Sequence, residues 1–168
     1  MVEYLYHVDK KDKVIAKIER NEAHALKLLH RGGVVLVFDS EKRVCLTNRS
    51  PLKTIFPNCV DSACSFHVKF GQTYLEAAEE ELFEETKIKA KPKYLGKSLL
   101  DRGPDRMIMA IFRIDTDEKI LLDPTEATSY KFYNSDEADK LIKTEKTTSW
   151  LPMAWKLTKI KRQRPKLT

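Results

Sequence analysis

The chain has 168 residues, 42% hydrophobic and 33% charged, which suits one globular domain with a real core and excludes a disordered chain. Its net charge of +6 sits at the end: Lys156, Lys159, Lys161, Arg162, Arg164 and Lys166 occur without an acid, and the body before them is close to neutral. No apolar run approaches the roughly 20 residues of a membrane span, and Met1–Tyr4 lacks a basic-then-apolar leader, so a cytoplasmic protein without a membrane partner is expected.

Residues 1–20 read as an N-terminal strand extension: Tyr4–Val8 and Val14–Ile18 are strand-like around a polar turn, Asp9–Lys13. Val34–Phe38 is a continuous apolar run of strand length, as expected for a central strand buried on both faces. The polar stretch Asp39–Arg43 then leads to a hairpin partner at Val44–Thr47. Thr73 to Lys87 is the clearest helix, because Thr73 and Glu76 form a capping-box pattern and Gly71 supplies a bend before it. Met107–Ile114 is a second apolar strand, Ser135 opens a short helix over Asp136–Ile142, and Trp150–Ile160 is a last helix. Strands mixed with two or three helices, with no repeat or Gly/Ser linker, give a single α/β domain over residues 1–168. Residues 156–168 read as a basic C-terminal tail, and contact with nucleic acid is expected only through it. Cys45, Cys59 and Cys64 have no metal-ligand spacing and fit a reducing compartment.

The helix carries the chemistry. Glu76 to Glu85 holds six glutamates in ten positions. At about 100° per residue, Glu85 lies roughly 40° to one side of Glu81 and Glu84 roughly 60° to the other, so the three share one face. The apolar stripe of Leu75, Ala78 and Leu82 adjoins that face. Carboxylates at the margin of a core repel one another, by about 0.2–0.5 kcal/mol per i,i+4 pair even when solvated. A divalent cation with oxygen ligands, such as Mg²⁺, removes that repulsion.

The stretch from His67 through Gly71, Gln72 and Glu80–Glu81–Leu82–Phe83–Glu84–Glu85–Thr86–Lys87–Ile88 resembles a Nudix box. The match lies at Glu81, Leu82, Glu84, Glu85 and Ile88. Phe66, Gln72, Glu80 and Lys87 stand where the pattern has Gly, Glu, Arg and Gly. Upstream, Glu22–Ala23–His24, Leu28–Leu29–His30–Arg31, Arg49, Lys53, Phe56–Pro57 and His67–Val68 resemble the isopentenyl-diphosphate-isomerase-like branch of that family. The resemblance spans roughly residues 3–155. It implies a Nudix-type α/β/α sandwich with a mixed β-sheet and a hydrolase, using Mg²⁺ or Mn²⁺, that cleaves a diphosphate linkage in a small, nucleoside-diphosphate-type substrate. Glu81, Glu84 and Glu85 would be the catalytic metal ligands, and Arg49 and Lys53 would bind the diphosphate. His24, His30 and His67 fall where the isomerase holds a transition metal and are a second, lower-ranked ligand set.

The departures bear on activity. Glu80 cannot supply the family's orienting Arg and adds repulsion instead, which a nearby Lys or another metal contact would have to relieve. The isomerase reaction needs a cysteine and a pair of acids, whereas Ser65 and Met107 stand at the cysteine and one acid position, and Val60 replaces a tryptophan. Hydrolysis is therefore preferred over isomerisation. A non-catalytic diphosphate- or RNA-binding module is the third reading. Loops over residues 50–64 and 98–106 are expected to set specificity.

Overall fold

Val34–Phe38 offers no polar side chain to either face, and the structure, a computed structural model describing residues 2–101 and 105–163 and side chains up to Ile160, buries the run on both. In chain order the elements are β1 (Tyr4–Val8), β2 (Val14–Glu19), α1 (Arg20–Ala25), β3 (His30–Phe38), β4 (Val44–Arg49), β5 (Val60–Ser62) and β6 (Cys64–His67). They continue with α2 (Tyr74–Thr86), β7 (Lys93–Asp101), β8 (Arg106–Asp115), β9 (Ala127–Tyr133), α3 (Ser135–Thr144) and α4 (Leu151–Gln163). The strands form one mixed sheet in which β3 is the hub, parallel to β8 and antiparallel to β1, β4 and β6. Alternation sends Val35 and Val37 to a core that includes Ala77, Ala78 and Leu82 of α2. Val34, Leu36 and Phe38 go to the opposite core, with Ala138 of α3 and Leu151, Ala154 and Trp155 of α4. Helices on both faces make the expected α/β/α sandwich.

The two glycines that open β3 mark close approach. A methyl group at Gly33 would come within 2.5 Å of Phe66 Cζ and 2.8 Å of the Ala110 carbonyl oxygen. The carbonyl belongs to the neighbouring strand and cannot swing away. Gly33→Ala is accordingly expected to cost about 1–3 kcal/mol in urea unfolding, by overpacking. A cost near zero would show that β3 and β8 yield easily here.

The α2 prediction holds closely. Thr73 is the N-cap and makes a full capping box with Glu76, and Lys87 closes the helix with a left-handed φ of 63°. Elsewhere the structure differs from the sequence reading. Asn134, not Ser135, caps α3, its side chain accepting from Asp136 N and Glu137 N. Much of the stretches expected as loops is strand: β5 and β6 begin at Val60 and Cys64, and β7 reaches Asp101; residues 102–104 lie outside the described ones. The basic segment begins on α4, where Lys159 pairs with Asp139, while Arg164 and Lys166 lie outside the described residues.

β2 forms an edge of the sheet, with Val14 and Ile15 exposed and no strand beyond it among the described residues. On the same hairpin Lys17 Nζ lies 4.2 Å from the Tyr4 ring centre and 5.5 Å from that of Phe70. All three cysteines are buried free thiols, and burial pushes Cys45 up to about 12. Among the described residues no helix is long and apolar enough to cross a membrane.

Candidate functional site

Three features of the fold bring the histidines together. Helix α1 is a six-residue turn anchored by buried Ala23, and it holds His24 in its last turn. The chain then enters β3 at His30, whose Nδ1 donates to the Leu28 carbonyl at 2.8 Å. Since a carbonyl only accepts, that contact puts the proton on Nδ1 and leaves the Nε2 lone pair facing inward. His67 ends β6 opposite Gly32 of β3. Asp105, 2% exposed, arrives from the start of β8.

One donor atom from each of His24, His30, His67 and Asp105 lies within 4.8 Å of every other. Among the described residues, no other group of three or more His, Cys, Asp or Glu converges so closely. His24 Nδ1 and Asp105 Oδ1 approach to 2.6 Å without hydrogen-bond alignment. These two atoms, with His30 Nε2 and His67 Nε2, are buried and have no hydrogen-bond partner. An unsatisfied buried polar atom costs about 1–3 kcal/mol, so two orphaned imidazole nitrogens beside a buried His24–Asp105 contact point to a ligand. Burial pushes the imidazoles of His30 and His67 down, His67 well down, so both present neutral lone pairs. Neutral imidazoles with one carboxylate fit a divalent transition metal.

The glutamates of α2 lie on the other side of the sheet. Glu85 is partly exposed in a narrow recess that also includes Thr47, Arg49, Asp61, Ser65 and Glu126. Burial raises its carboxyl well above the ordinary range, and the charges of Glu126, Glu81 and Asp61 push the same way. Glu81 is raised as well, chiefly by burial, with Lys69 pulling it back. Glu84, on the flank away from Glu85, is exposed, so the expected common face divides between Glu81 and Glu85 on one side and Glu84 on the other. Lys69 supplies the cation that Glu80 demanded: its Nζ lies 2.9 Å from Glu80 and 3.4 Å from Glu81, and the Gln72 amide also donates to Glu80.

Arg49 and Ser65 line both this recess and a cavity of about 110 Å³ that reaches His67 and Asp105. Arg49 is 8% exposed; its Nη1 donates to Asp61 Oδ2 at 2.9 Å and its Nη2 to the Ile55 carbonyl at 3.2 Å. Its Nε is buried without a partner. Lys53 lines the cavity too and reaches Glu126 at 2.6 Å. The two predicted phosphate ligands thus stand together, each already held by a carboxylate.

Those carboxylates escaped the sequence reading. Asp61 Oδ1 accepts from the Ser62 amide, Thr148 Oγ1 and Trp150 Nε1, and Oδ2 from Arg49 and Ser65. Its partners Thr148 and Trp150 are 87 and 89 residues away. No local pattern announces such a hub. Glu126 had no signal beyond its charge.

Comparison with known proteins adds an independent line. Residues 28–155 match the NUDIX domain. An uncharacterized Nudix hydrolase of Pseudomonas aeruginosa is 28% identical over 137 residues, covering 81% of each chain. An isopentenyl-diphosphate Delta-isomerase of Pectobacterium atrosepticum is 25% identical over 159 residues, covering 88% of this chain and 87% of that one. Among solved structures, a Deinococcus radiodurans protein superposes with a TM-score of 0.79 at 21% identity, over 94% of this chain and 98% of that one. A MutT protein from Methanosarcina mazei gives 0.69 at 15% identity, over 81% and 96%.

Proposed function

The chain belongs to the Nudix family, and on that premise we propose that it is a metal-dependent hydrolase cleaving a diphosphate linkage in a small substrate of nucleoside-diphosphate type. The observation that carries this reading is that Asp61 and Glu126 share the recess of Glu85 and, with Glu81, push its carboxyl up. A cation beside Glu85 would favour its charged form against burial and these negative neighbours. Glu81 and Glu85, joined by Glu126, would hold Mg²⁺ or Mn²⁺, with Glu84 the outermost of the family set. A cation there supplies neutralisation of phosphoryl charge and activation of water.

The chain's own groups do the rest. Arg49 Nε donates to a phosphoryl oxygen, while the Asp61 contact fixes the plane of the guanidinium. Lys53 exchanges Glu126 for phosphate. Glu85 orients the attacking water. His24, His30, His67 and Asp105 would hold a second ion beside the substrate cavity. His67→Ala is expected to weaken Zn²⁺ binding in titration calorimetry by at least about 10–100-fold, because loss of an outer partner alone costs that much. Unchanged affinity would remove this centre from the proposal.

A second reading, isopentenyl-diphosphate isomerisation, is favoured by the three-histidine cluster. Ser65 and Met107 weigh against it, since neither performs the proton transfers assigned to those positions. The deciding assay measures phosphate release from nucleoside diphosphates and triphosphates, dinucleotides, sugar nucleotides and isopentenyl diphosphate, with Mg²⁺, with Mn²⁺ and with chelator. Metal-dependent release supports the hydrolase. Isomerisation without release replaces it, and binding without turnover points to a non-catalytic module.

A further inference from the structure

Three imidazoles and a lone carboxylate make up the His/Asp centre, and the side chain beside it is a thioether. β3 and β8 run parallel with His30 next to Met107, and β6 places His67 next to Gly32. Residues two apart on a strand share a face, so His30, Gly32, His67 and Met107 all project to one side of the sheet. A methyl group at Gly32 would lie 2.6 Å from Met107 Sδ, which places the sulfur over the glycine. Met107 is 3% exposed and borders the same cavity as His67 and Asp105.

We propose that Met107 sets the ion preference of this centre, making it selective for Zn²⁺ and Co²⁺ over Mn²⁺ and Mg²⁺. The inference rests on reading His24, His30, His67 and Asp105 as a metal centre. Hard ions draw their affinity from anionic and carbonyl oxygens and from retained water. Here one carboxylate is available, and the residue beside His30 on the neighbouring strand is a thioether, which offers a hard ion no oxygen. Imidazole-rich sites suit Zn²⁺ and Co²⁺, for which the loss of one oxygen matters less. Gly32 is part of the device, since any side chain there would drive the sulfur out of place.

Because most nitrogen sites bind Zn²⁺ more tightly than Mn²⁺, the informative quantity is the change in their affinity ratio. It is measured by competition against a chromophoric chelator on wild-type, Met107→Glu, Met107→Gln and Met107→Leu proteins, each with its unfolding midpoint, and with His67→Ala reporting loss of the site. The ratio of Zn²⁺ to Mn²⁺ affinity is expected to fall at least about 10-fold in Met107→Glu, by less in Met107→Gln, and to stay unchanged in Met107→Leu. The visible bands of the Co²⁺-loaded protein are expected to weaken in Met107→Glu as an oxygen ligand raises the coordination number. If Met107→Glu fails to fold, Met107→Gln carries the test, having nearly the volume of Met and a neutral oxygen. An unchanged ratio in the folded Glu and Gln variants overturns the role of Met107. Wild-type Zn²⁺ binding that persists in His67→Ala, or none at all, instead overturns the centre itself, and this inference with it.

Discussion

Glu85→Gln is expected to lower metal-dependent phosphate release at least about 100- to 1,000-fold, the loss typical when one preorganised electrostatic group is removed. The same substitution should make the metal-free protein more stable near neutrality. Glu85 is raised in the folded chain by burial and by Glu126, Glu81 and Asp61. Its contribution is therefore favourable below the unfolded carboxyl value of about 4.3 and is lost as pH rises through the folded value. Gln has no such loss. With chelator present, the unfolding midpoint of the variant should exceed that of wild type at about pH 8, and the gap should close toward about pH 4. Added Mn²⁺ should reverse the order, because only the wild type gains a full ligand set. A variant that turns over at the wild-type rate would remove Glu85 from the site.

Asp61→Ala is the substitution expected to cost most in folding, about 3–5 kcal/mol, the range for breaking a buried ion pair by removing one partner. Asp61 is 2% exposed and Arg49 is 8% exposed, so the guanidinium would be left buried beside an empty space. Thr148 and Trp150 would lose their acceptor in the same event, detaching the approach to α4 from β5. Asp61→Asn keeps the shape and part of the acceptor function and should cost less. Urea unfolding of the two variants beside wild type checks this. A loss below about 1 kcal/mol for the alanine variant would mean that Arg49 finds water readily, as a surface pair does.

The legible parts of the fold are those whose signal is local. Val34–Phe38 and Met107–Ile114 announce themselves as apolar runs, and α2 carries its own capping box. β7 and β9 were not legible. Lys93–Asp101 and Ala127–Tyr133 expose most of their residues, without a clean alternation, and are ordered by pairing with β8 and β4. α1 is too short to show a helical period. For the candidate site, Glu81, Glu85, Arg49 and Lys53 follow from the family resemblance, and the structure places Arg49 and Glu85 in one recess and Lys53 in the adjoining cavity. The histidines rank lower in the sequence because His24 and His30 lie on a pre-strand segment, where such residues also cap or pack, and they discriminate poorly within the resembling branch. Only the pairing of β6 with β3, and the turn from α1 into β3, bring them together. Asp61 shows the same limit from the other side, since its partners belong to segments far along the chain.

The β1–β2 hairpin has a consequence for behaviour in a crowded solution. An unpaired outer strand carrying Val14 and Ile15 is a template onto which another extended chain can add, the usual start of edge-to-edge aggregation. Lys17 stands in the middle of that strand, with its ammonium over the rings of Tyr4 and Phe70, and charge on an outer strand opposes such pairing. The register shift between His7 and Val8 also disturbs the straight ladder such an addition requires. One lysine and one irregularity thus oppose edge-to-edge pairing, on a hairpin that contributes no residue to the proposed chemistry.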